Sequence, residues 1–362
     1  MRLAHFHALR PVCPACRLQG ALAPLALACV EEERDEIVRS GVLGCEACGN
    51  RYPILDGLPV LVPDLPRFLS DNLFYLTMRR DLTPGVTALL AEATGPGAGI
   101  DAIRQHVSSY GWDHWADQDP AEAGGEQVEP GQVSRVLAQL LDGLPAPLPD
   151  GPIIDLGCGA GRTTADLAER TGRLVLGVDL SVPLARVAWD AVVGGHVAYE
   201  RRRAGLHFER RSFSVRAEGK ADVWIADALA LPFADEGFAL VTALNLLDCL
   251  RDPKAALAEF GRVLTPGGAC ALATPFDWSG AATPLANWLG GRGGRGAQGG
   301  EGARCDLALD ALLSEGPSAA GALRRSRAPG EAEWRIRLHD RSSMQYLTHL
   351  SWSAKGQPGL AA

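Results

Sequence analysis

At residues 153–161 the chain reads Ile-Ile-Asp-Leu-Gly-Cys-Gly-Ala-Gly, with a glycine at every second position from Gly157 onward. The apolar pair before Asp155 indicates a buried strand, and the glycines indicate a tight turn that leads into a helix. Glycine is needed where the backbone takes positive φ or where a ligand comes close to the main chain. A second acid, Asp179, ends the next predicted strand. The loop and the two acids together predict a binding site for a nucleotide-like ligand.

Strand and helix patterns alternate from Gln132 onward. The predicted strands are 153–156, 174–178, 223–226, 238–244 and 269–273, and the predicted helices are 162–170, 183–193 and 253–264. Two further strands, at 334–338 and 345–353, are predicted to close the sheet as a hairpin. This order predicts an α/β fold with a Rossmann-like, doubly wound, mostly parallel sheet of seven strands. Its ligand is expected at the carboxyl ends of the strands.

The composition excludes some classes of function. The 362 residues carry a formal charge of −8, which disfavours nucleic acid as a partner because phosphate binding needs clustered lysine and arginine. The N-terminus lacks the long apolar segment of a signal peptide, and the apolar run at 21–30 is about half a membrane span. Nine cysteines, five of them isolated, fit a reducing compartment. We therefore expect a cytoplasmic protein with no membrane partner.

Two Cys-x-x-Cys pairs, Cys13/Cys16 and Cys45/Cys48, lie close together near the N-terminus. Each pair can aim two thiolates at one point, so together they supply the four sulfur ligands of a tetrahedral Zn²⁺ site. A site closed by four cysteines leaves no position for a substrate, so this zinc would be structural. The alternative is a set of free thiols or a redox pair. Because so small a unit has little core, we expect the metal to supply much of its folding free energy.

The second pair is followed at 52–61 by Tyr-Pro-Ile-Leu-Asp-Gly-Leu-Pro-Val-Leu. This stretch resembles the small zinc-ribbon proteins that activate tRNA, rRNA and protein methyltransferases. The resemblance implies a ribbon that packs on, or assists, a methyltransferase domain. We therefore expect a zinc ribbon at 1–66, a helical lid or linker region at 67–130 and the main domain at 131–362.

The glycine spacing is G-x-G-x-G with Asp155 directly upstream, whereas dinucleotide sites usually have G-x-G-x-x-G. This arrangement resembles motif I of class I S-adenosylmethionine-dependent methyltransferases, and the likeness extends to Asp227-Ala228 after the third strand. It implies S-adenosylmethionine as cofactor. Asp179 would accept hydrogen bonds from both ribose hydroxyls, and Asp227 would hydrogen-bond the adenine. Taken singly, each aspartate could instead cap a helix or a turn. The predicted cofactor residues are Asp155, Gly157, Cys158, Gly159, Gly161, Asp179, Leu180, Asp227, Ala228 and Asn245.

Residues 110–115, Tyr-Gly-Trp-Asp-His-Trp, are dense in aromatic and imidazole groups. In many methyltransferases a segment before the first strand closes over the cofactor. The stretch is therefore either a lid or substrate wall, with Tyr110 as a substrate contact, or an aromatic cluster buried under a loop. Helices are predicted at 71–80, 87–94 and 100–107, and a linker at 120–130.

Asn245 and Asp248 follow the fourth predicted strand, at the rim where a methyl acceptor must lie. Asn-Leu-Leu-Asp at 245–248 resembles the imidazole N-methyltransferases, namely the protein-histidine enzymes and the methyltransferase domain of ovothiol synthases. A second series agrees: Thr-Pro-Phe-Asp-Trp at 274–278, Thr-Pro at 283–284 and Asn-Trp-Leu-Gly-Gly at 287–291. Phe276 replaces the tyrosine of that pattern, which removes a hydroxyl. The resemblance implies an imidazole nitrogen as the methyl acceptor, on a small molecule or a peptide.

Methyl transfer needs a neutral nucleophile aligned with the sulfonium methyl group. A neutral imidazole has one N–H donor and one lone pair, so Asp248 can accept the N–H while the other nitrogen faces the methyl. Asn245 can hold the ring or the amino-acid end of the cofactor. Phe276 and Trp278 are the remaining candidate substrate contacts, and Trp278 can stack on the ring as charge develops. Alternatively, Asn245 and Asp248 cap the following helix and the tryptophans are core residues.

Two glycine- or arginine-rich stretches remain. The arginines at 201–203 and 210–211 suit RNA or an acidic partner, but the overall acidity favours a solvated face. The Gly/Arg-rich stretch at 290–302 is predicted to be a disordered loop. Three functions are therefore open: an imidazole N-methyltransferase, a methyltransferase for RNA or a natural-product intermediate with the ribbon as recognition module, and a non-catalytic scaffold that binds S-adenosylmethionine.

Overall fold

The computed structural model describes residues 1–122, 129–145, 147–217, 219–291, 304–314 and 322–356. Most of the linker predicted at 120–130, and nearly all of the loop predicted at 290–302, lie outside the described residues. Among the helices that are described, none is both long and apolar enough to cross a membrane.

The N-terminal unit contains two short helices and four antiparallel strands: α1 (Leu3–Leu9), α2 (Pro14–Leu18), β1 (Leu25–Arg34), β2 (Ile37–Cys45), β3 (Arg51–Leu55) and β4 (Leu58–Leu61). Asp56 and Gly57 form the turn between β3 and β4, with φ of +53° and +90°. A Cβ atom on Gly57 would lie 2.3 Å from the indole of Trp189. Only glycine therefore lets this turn pack against the larger part of the protein.

The larger part of the protein begins with a run of helices and then alternates strands with helices. Its helices are α3 (Leu65–Asp71), α4 (Leu73–Thr77), α5 (Pro84–Thr94), α6 (Gly99–Trp115), α7 (Gln132–Asp142), α8 (Arg162–Thr171), α9 (Val182–Val192), α10 (Pro253–Val263) and α11 (Cys305–Ser314). Its strands are β5 (Ile153–Leu156), β6 (Val175–Asp179), β7 (His196–Ala204), β8 (His207–Ser214), β9 (Ala221–Ala226), β10 (Phe238–Leu244), β11 (Leu264–Thr274), β12 (Leu323–Arg325), β13 (Gly330–His339) and β14 (Ser342–Lys355).

The central sheet has the order β9-β6-β5-β10-β11-β14-β12, and β12 is a strand that the sequence does not predict. The pairings from β9 to β11 are parallel, whereas β14 is antiparallel to β11, β12 and β13. The predicted Rossmann-like, mostly parallel fold is confirmed. The closing hairpin is present as β13 and β14, which pair from Gly330↔Leu350 to His339↔Ser342.

The sheet of the N-terminal unit is continuous with the central sheet. Strand β4 pairs in parallel with β9, with Val60 opposite Ile225 and Leu61 opposite Ala226. One sheet of 12 strands therefore runs through both units. The domain boundary predicted at residue 66 stays a prediction, because a single sheet contains strands from both sides of that residue.

Helices cover both faces of the central sheet, as a doubly wound fold requires. One buried cluster joins α10 and α11 to one face, and it also includes Phe6 and Cys13 of the N-terminal unit. A second buried cluster joins α7, α8 and α9 to the other face. The carboxyl ends of β5, β6, β9 and β10 meet at one edge between these layers.

Strands β7 and β8 form a separate antiparallel hairpin that the sequence does not predict. It contains the arginine run, and the prediction of a solvated face is wrong for Arg201 and Arg211. Arg201 is 3% exposed and lies 2.6 Å from Glu122, and Arg211 is 7% exposed and lies 2.7 Å from Asp119. These two charges are paired inside the protein.

Candidate active site

The glycine loop between β5 and α8 has the conformation that its sequence predicts. Gly157, Gly159 and Gly161 have φ of +67°, +55° and +90°. A Cβ atom on Gly159 would lie 3.2 Å from the His114 ring, closer than ordinary contact, so the loop passes directly against α6. The N–H of Gly159 donates to the Asp179 carboxylate at 2.9 Å. The loop is therefore tied to the end of β6.

Asp155 is 1% exposed and binds three hydroxyl groups. Its carboxylate accepts hydrogen bonds from Thr163 at 2.6 Å, Thr164 at 2.8 Å and Thr242 at 2.7 Å. Burial raises the pKa of Asp155, and these hydrogen bonds oppose the rise. The acid thus joins α8 to β5 and β10. Its contact with a cofactor stays a prediction, as does that of Cys158, which is equally buried.

Asp179 ends β6, and its carboxylate is half-buried at the same edge of the sheet. One oxygen accepts the Gly159 N–H and the other accepts the Ser181 N–H at 2.7 Å. Since each carboxylate oxygen has two lone pairs, one position on each remains for a ligand hydroxyl. Burial raises the pKa of Asp179 to about 6. The neighbouring Leu180 is 40% exposed and offers an apolar surface beside this carboxylate.

Asp227 directly follows β9 and begins a tight turn. Its side chain accepts the Leu229 N–H at 2.9 Å, and its carbonyl accepts the Ala230 N–H at 2.9 Å. Ala228 is 6% exposed. Only one oxygen of the Asp227 carboxylate is used in this turn among the described contacts, so the other is available at the rim.

Asn245 directly follows β10 and has a backbone conformation that is rare for a residue with a side chain, with φ of +50°. Its N–H donates to the Ala273 carbonyl at 2.7 Å, which holds the strained residue in place. Its side-chain Oδ1 is buried and has no hydrogen-bond partner among the described residues. A buried amide oxygen without a donor is costly. This atom therefore points to a ligand that donates a hydrogen bond.

Asp248 is 2% exposed, three residues beyond Asn245. Its carboxylate accepts the Asp277 N–H at 2.6 Å, and its carbonyl accepts the Thr283 hydroxyl at 3.0 Å. Burial is the largest cause that raises the pKa of Asp248, and the nearby Asp277 adds to the rise. The Tyr346 hydroxyl in turn donates to the Asp277 carboxylate at 3.1 Å. Two carboxylates and a phenol therefore lie together beside the end of β10.

Residues 154–272 match the family model described as a methyltransferase domain. The chain therefore contains a methyltransferase domain. Methyltransferase GfsG of Streptomyces halstedii is 32% identical over 51% of this chain and 63% of that protein. An O-methyltransferase of Pyrenophora dematioidea is 28% identical over 48% of this chain and 57% of that protein. The chain thus spans less than two thirds of either relative.

Solved structures also align with the methyltransferase domain. Geranyl diphosphate C-methyltransferase of Streptomyces coelicolor A3(2), solved with S-adenosyl-L-homocysteine, covers 39% of this chain and 44% of its own, at 21% identity and a TM-score of 0.31. The fold of the methyltransferase domain follows from the strand order and the family match.

Helix α6 places part of residues 110–115 in a packed core, while the lid or substrate wall stays a prediction. Trp112 and Trp115 are 1% exposed and belong to a buried cluster, and the Trp115 indole N–H donates to the Ala160 carbonyl at 2.7 Å. His114 accepts the Arg162 N–H through Nδ1, and burial lowers the pKa of His114 to about 3. A neutral imidazole therefore faces the glycine loop.

A cavity of about 510 Å³ lies between α6 and the β13–β14 hairpin of the methyltransferase domain. Tyr110 and Tyr346 line it, with apolar walls from Ile336, Leu338 and Met344. Burial raises the pKa of Tyr110, and Cys249, Tyr346 and Asp179 add to the rise, so Tyr110 lies close to both the cofactor edge and Tyr346. Tyr346, which donates to Asp277, therefore lies on the wall of this cavity.

Phe276 and Trp278 lie in the loop after β11. Phe276 has φ of +55°, and its ring centroid is 5.5 Å from that of His349. Trp278 stacks on Trp288 at 5.9 Å, and its indole N–H donates to the Cys305 thiol at 3.3 Å. These contacts fit the core alternative for Trp278. Its contact with a substrate, like that of Phe276, stays a prediction.

The sequence analysis assigned no role to Tyr346 or Asp277. Both occur in stretches that carry the resemblance, but their pairing arises from the antiparallel contact of β11 with β14, where Thr274 is opposite His349. No local pattern marks this contact, because 69 residues separate the two side chains.

The four cysteines of the two Cys-x-x-Cys pairs converge at one point of the N-terminal unit. Their sulfur atoms all lie within 4.8 Å of one another, with Cys13 and Cys48 at 3.7 Å and Cys16 and Cys45 at 3.8 Å. Thiolates bound to tetrahedral Zn²⁺ at about 2.3 Å are about 3.8 Å apart. The donor set and its spacing therefore fit a zinc ion, and no disulfide links any of the four.

Proposed function

We propose that this protein transfers a methyl group from S-adenosylmethionine to a ring nitrogen of an imidazole-containing small molecule or peptide. The observation that carries the proposal is the pair Asn245 and Asp248 beyond β10. One member has a buried amide oxygen that lacks a donor, and the other is a buried carboxylate with a raised pKa. Both lie at the strand ends where this fold binds its ligands.

The residues around the glycine loop fit S-adenosylmethionine. Asp179 would accept the two ribose hydroxyls with the lone pairs that its backbone contacts leave open. Asp227 and Ala228 would border the adenine, and Asn245 Oδ1 would accept a hydrogen bond from the amino group of the cofactor or from the acceptor. Asp155 would position the glycine loop by accepting hydrogen bonds from the three threonine hydroxyls. When bound, the cofactor supplies an electrophilic methyl group on a cationic sulfur.

Asp248 orients the acceptor. In the neutral imidazole one nitrogen carries a proton and the other a lone pair. Asp248 would accept the N–H, which would leave the lone pair of the second nitrogen facing the methyl group that the cofactor would supply. The ring becomes an imidazolium, which the Asp248 carboxylate stabilises before the N–H proton leaves to the carboxylate or to water. The Tyr346 hydroxyl holds Asp277, whose N–H fixes the Asp248 carboxylate.

A second candidate is O-methylation of a small natural product. Curated relatives named O-methyltransferases favour it, among them the protein of Pyrenophora dematioidea. A hydroxyl acceptor must lose its proton, and a buried carboxylate with a raised pKa is a suitable base. RNA is disfavoured by the charge of −8 and by the internal pairing of Arg201 and Arg211 in β7 and β8. The organised site disfavours a non-catalytic scaffold.

We also propose that Cys13, Cys16, Cys45 and Cys48 hold a structural Zn²⁺, which makes the N-terminal unit a zinc ribbon. The sulfur spacing supports it, and four protein ligands leave no open position for catalysis. A cytoplasmic location stays a prediction. It agrees with nine cysteines that are all unpaired.

The test is a transfer assay with S-adenosylmethionine labelled in the methyl group. Histidine derivatives, imidazole peptides, phenols and bulk RNA are offered in parallel, and the products are located by mass spectrometry and NMR. The proposal requires label on an imidazole nitrogen. Label on phenol oxygens alone would replace it with the O-methylation candidate, and cofactor binding without transfer to any acceptor class would favour the scaffold.

A further inference from the structure

Arg17 connects the cysteine cluster to the methyltransferase domain. It directly follows Cys16 at the end of α2. Its guanidinium lies 2.8 Å from the Glu259 carboxylate of α10, and the two side chains are only 10% and 9% exposed. Arg17 is one of two arginines on this carboxylate, since Arg262 also binds Glu259, at 2.8 Å. The position of α2 is therefore fixed against α10.

Glu259 also binds the turn after β9. The carboxylate oxygen that faces Arg17 also accepts the Leu231 N–H at 2.7 Å. Arg262 binds the same carboxylate at 2.8 Å and donates to the carbonyls of Leu231 and Phe233 at 3.3 and 2.8 Å. The segment 227–233, which starts with Asp227, is thus held at its far end, at Leu231 and Phe233.

The N-terminal unit touches this segment directly as well. The Val12 N–H donates to the Pro232 carbonyl at 2.9 Å, one residue before Cys13. At the other end of the segment, Leu61 of β4 is paired with Ala226, the residue before Asp227. Both ends of 227–233 are therefore in contact with the unit that carries the four cysteines.

We propose that Arg17 is a positioning residue that couples the metal site to the adenine side of the cofactor pocket. The inference rests on the proposed function. A metal held by Cys13 and Cys16 fixes α2, α2 fixes Arg17, and Arg17 with Glu259 fixes the turn that contains Asp227. Loss of the metal or of the arginine then weakens cofactor binding without touching a residue that contacts the cofactor.

The test measures the Kd of S-adenosylmethionine by calorimetry for the full chain. Arg17→Met is expected to raise the Kd about threefold, as for loss of one ion-pair contact to a carboxylate that Arg262 still binds, with a higher KM for S-adenosylmethionine and an unchanged kcat. Arg17→Lys, which keeps the charge, should recover part of the loss. Arg51→Met is the matched control, since Arg51 is an exposed arginine of the same unit on β3.

Metal removal from the wild type by a chelator should raise the Kd by a similar factor. In Arg17→Met the chelator should raise the Kd little further, because the variant has already lost the contact through which α2 acts on Glu259. Hydrogen exchange of the metal-loaded Arg17→Met protein should be faster at Leu231. An unchanged Kd and unchanged exchange in Arg17→Met, or fully additive effects of variant and chelator, would overturn the inference alone. A wild type that does not bind S-adenosylmethionine would overturn the proposed function and the inference with it.

Discussion

The Asp248 carboxylate accepts a hydrogen bond from the Asp277 backbone N–H at 2.6 Å. This contact joins the end of β10 to the loop after β11, so the two stretches that resemble imidazole N-methyltransferases meet at one carboxylate. Asp248 is thereby fixed in orientation, and the donor to its other oxygen is the Cys249 thiol, at 3.9 Å. A fixed, buried carboxylate can accept the single N–H proton of a neutral imidazole and so orient this methyl acceptor.

Replacement of Asp248 by asparagine should remove turnover and spare cofactor binding. The amide cannot take a proton or stabilise an imidazolium, so kcat should fall by about 10³-fold, while the calorimetric Kd of S-adenosylmethionine changes less than about twofold. Asp252→Asn is the control, because Asp252 only caps α10 through the Ala255 N–H. Full activity of Asp248→Asn would contradict the assignment.

Asp179→Ala should weaken cofactor binding. The change removes the acceptor of the proposed ribose hydroxyls and also the contact with the Gly159 N–H. Loss of charged hydrogen bonds of this kind corresponds to at least about a tenfold rise in Kd. Calorimetry with S-adenosylhomocysteine measures it, with Asp142→Ala, on the exposed end of α7, as the control. An equal Kd for Asp179→Ala and wild type would remove Asp179 from the cofactor site.

Metal analysis of the purified protein should find one zinc ion per chain. Cys45→Ser should lose the zinc and lower the Tm, because the metal would join α2 to the turn after β2. Cys29→Ser should keep the zinc and the Tm, since Cys29 is exposed on β1 and only contacts Glu31. Substoichiometric zinc together with four freely titrating thiols would refute the ribbon.

Asp113 gives the fold a pH dependence. It is 1% exposed, accepts the Trp334 indole N–H at 3.0 Å, and burial raises its pKa to about 7. An acid with a raised folded pKa stabilises the fold fully below pH 4, and this contribution is lost as the pH rises to 7. The free energy of unfolding of the wild type should therefore fall over this range by on the order of 3 kcal/mol relative to Asp113→Asn.

Denaturant unfolding at several pH values between 4 and 8 measures this difference. The opposite effect of His114, whose pKa is lowered to about 3, is present in both proteins and cancels in the comparison. Parallel curves for wild type and Asp113→Asn would show that Asp113 titrates normally in the folded state.

The fold of the methyltransferase domain can be predicted from the sequence because its determinants are local. The glycine loop, the acids at strand ends and the alternation of apolar strands with helices each occupy a short stretch. The convergence of the four cysteines follows in the same way from their paired spacing.

Contacts that depend on distant strands could not be predicted. The role of Asp155 depends on Thr242, which comes from another strand, and the Tyr346–Asp277 contact depends on the register of β14. The β7–β8 hairpin has a charged sequence that gives no apolar alternation, since buried Arg201 and Arg211 replace apolar residues on its inner side. Long-range ion pairs with Asp119 and Glu122 make this arrangement stable.

The parallel pairing of β4 with β9 has a consequence for solubility. Without β4, the backbone N–H and C=O groups along β9 would lie at an open edge, where a strand from another molecule can pair with them. The first sixty residues therefore protect the catalytic unit from self-association. A shortened protein that starts after residue 62 should aggregate even if every residue of the active site is retained.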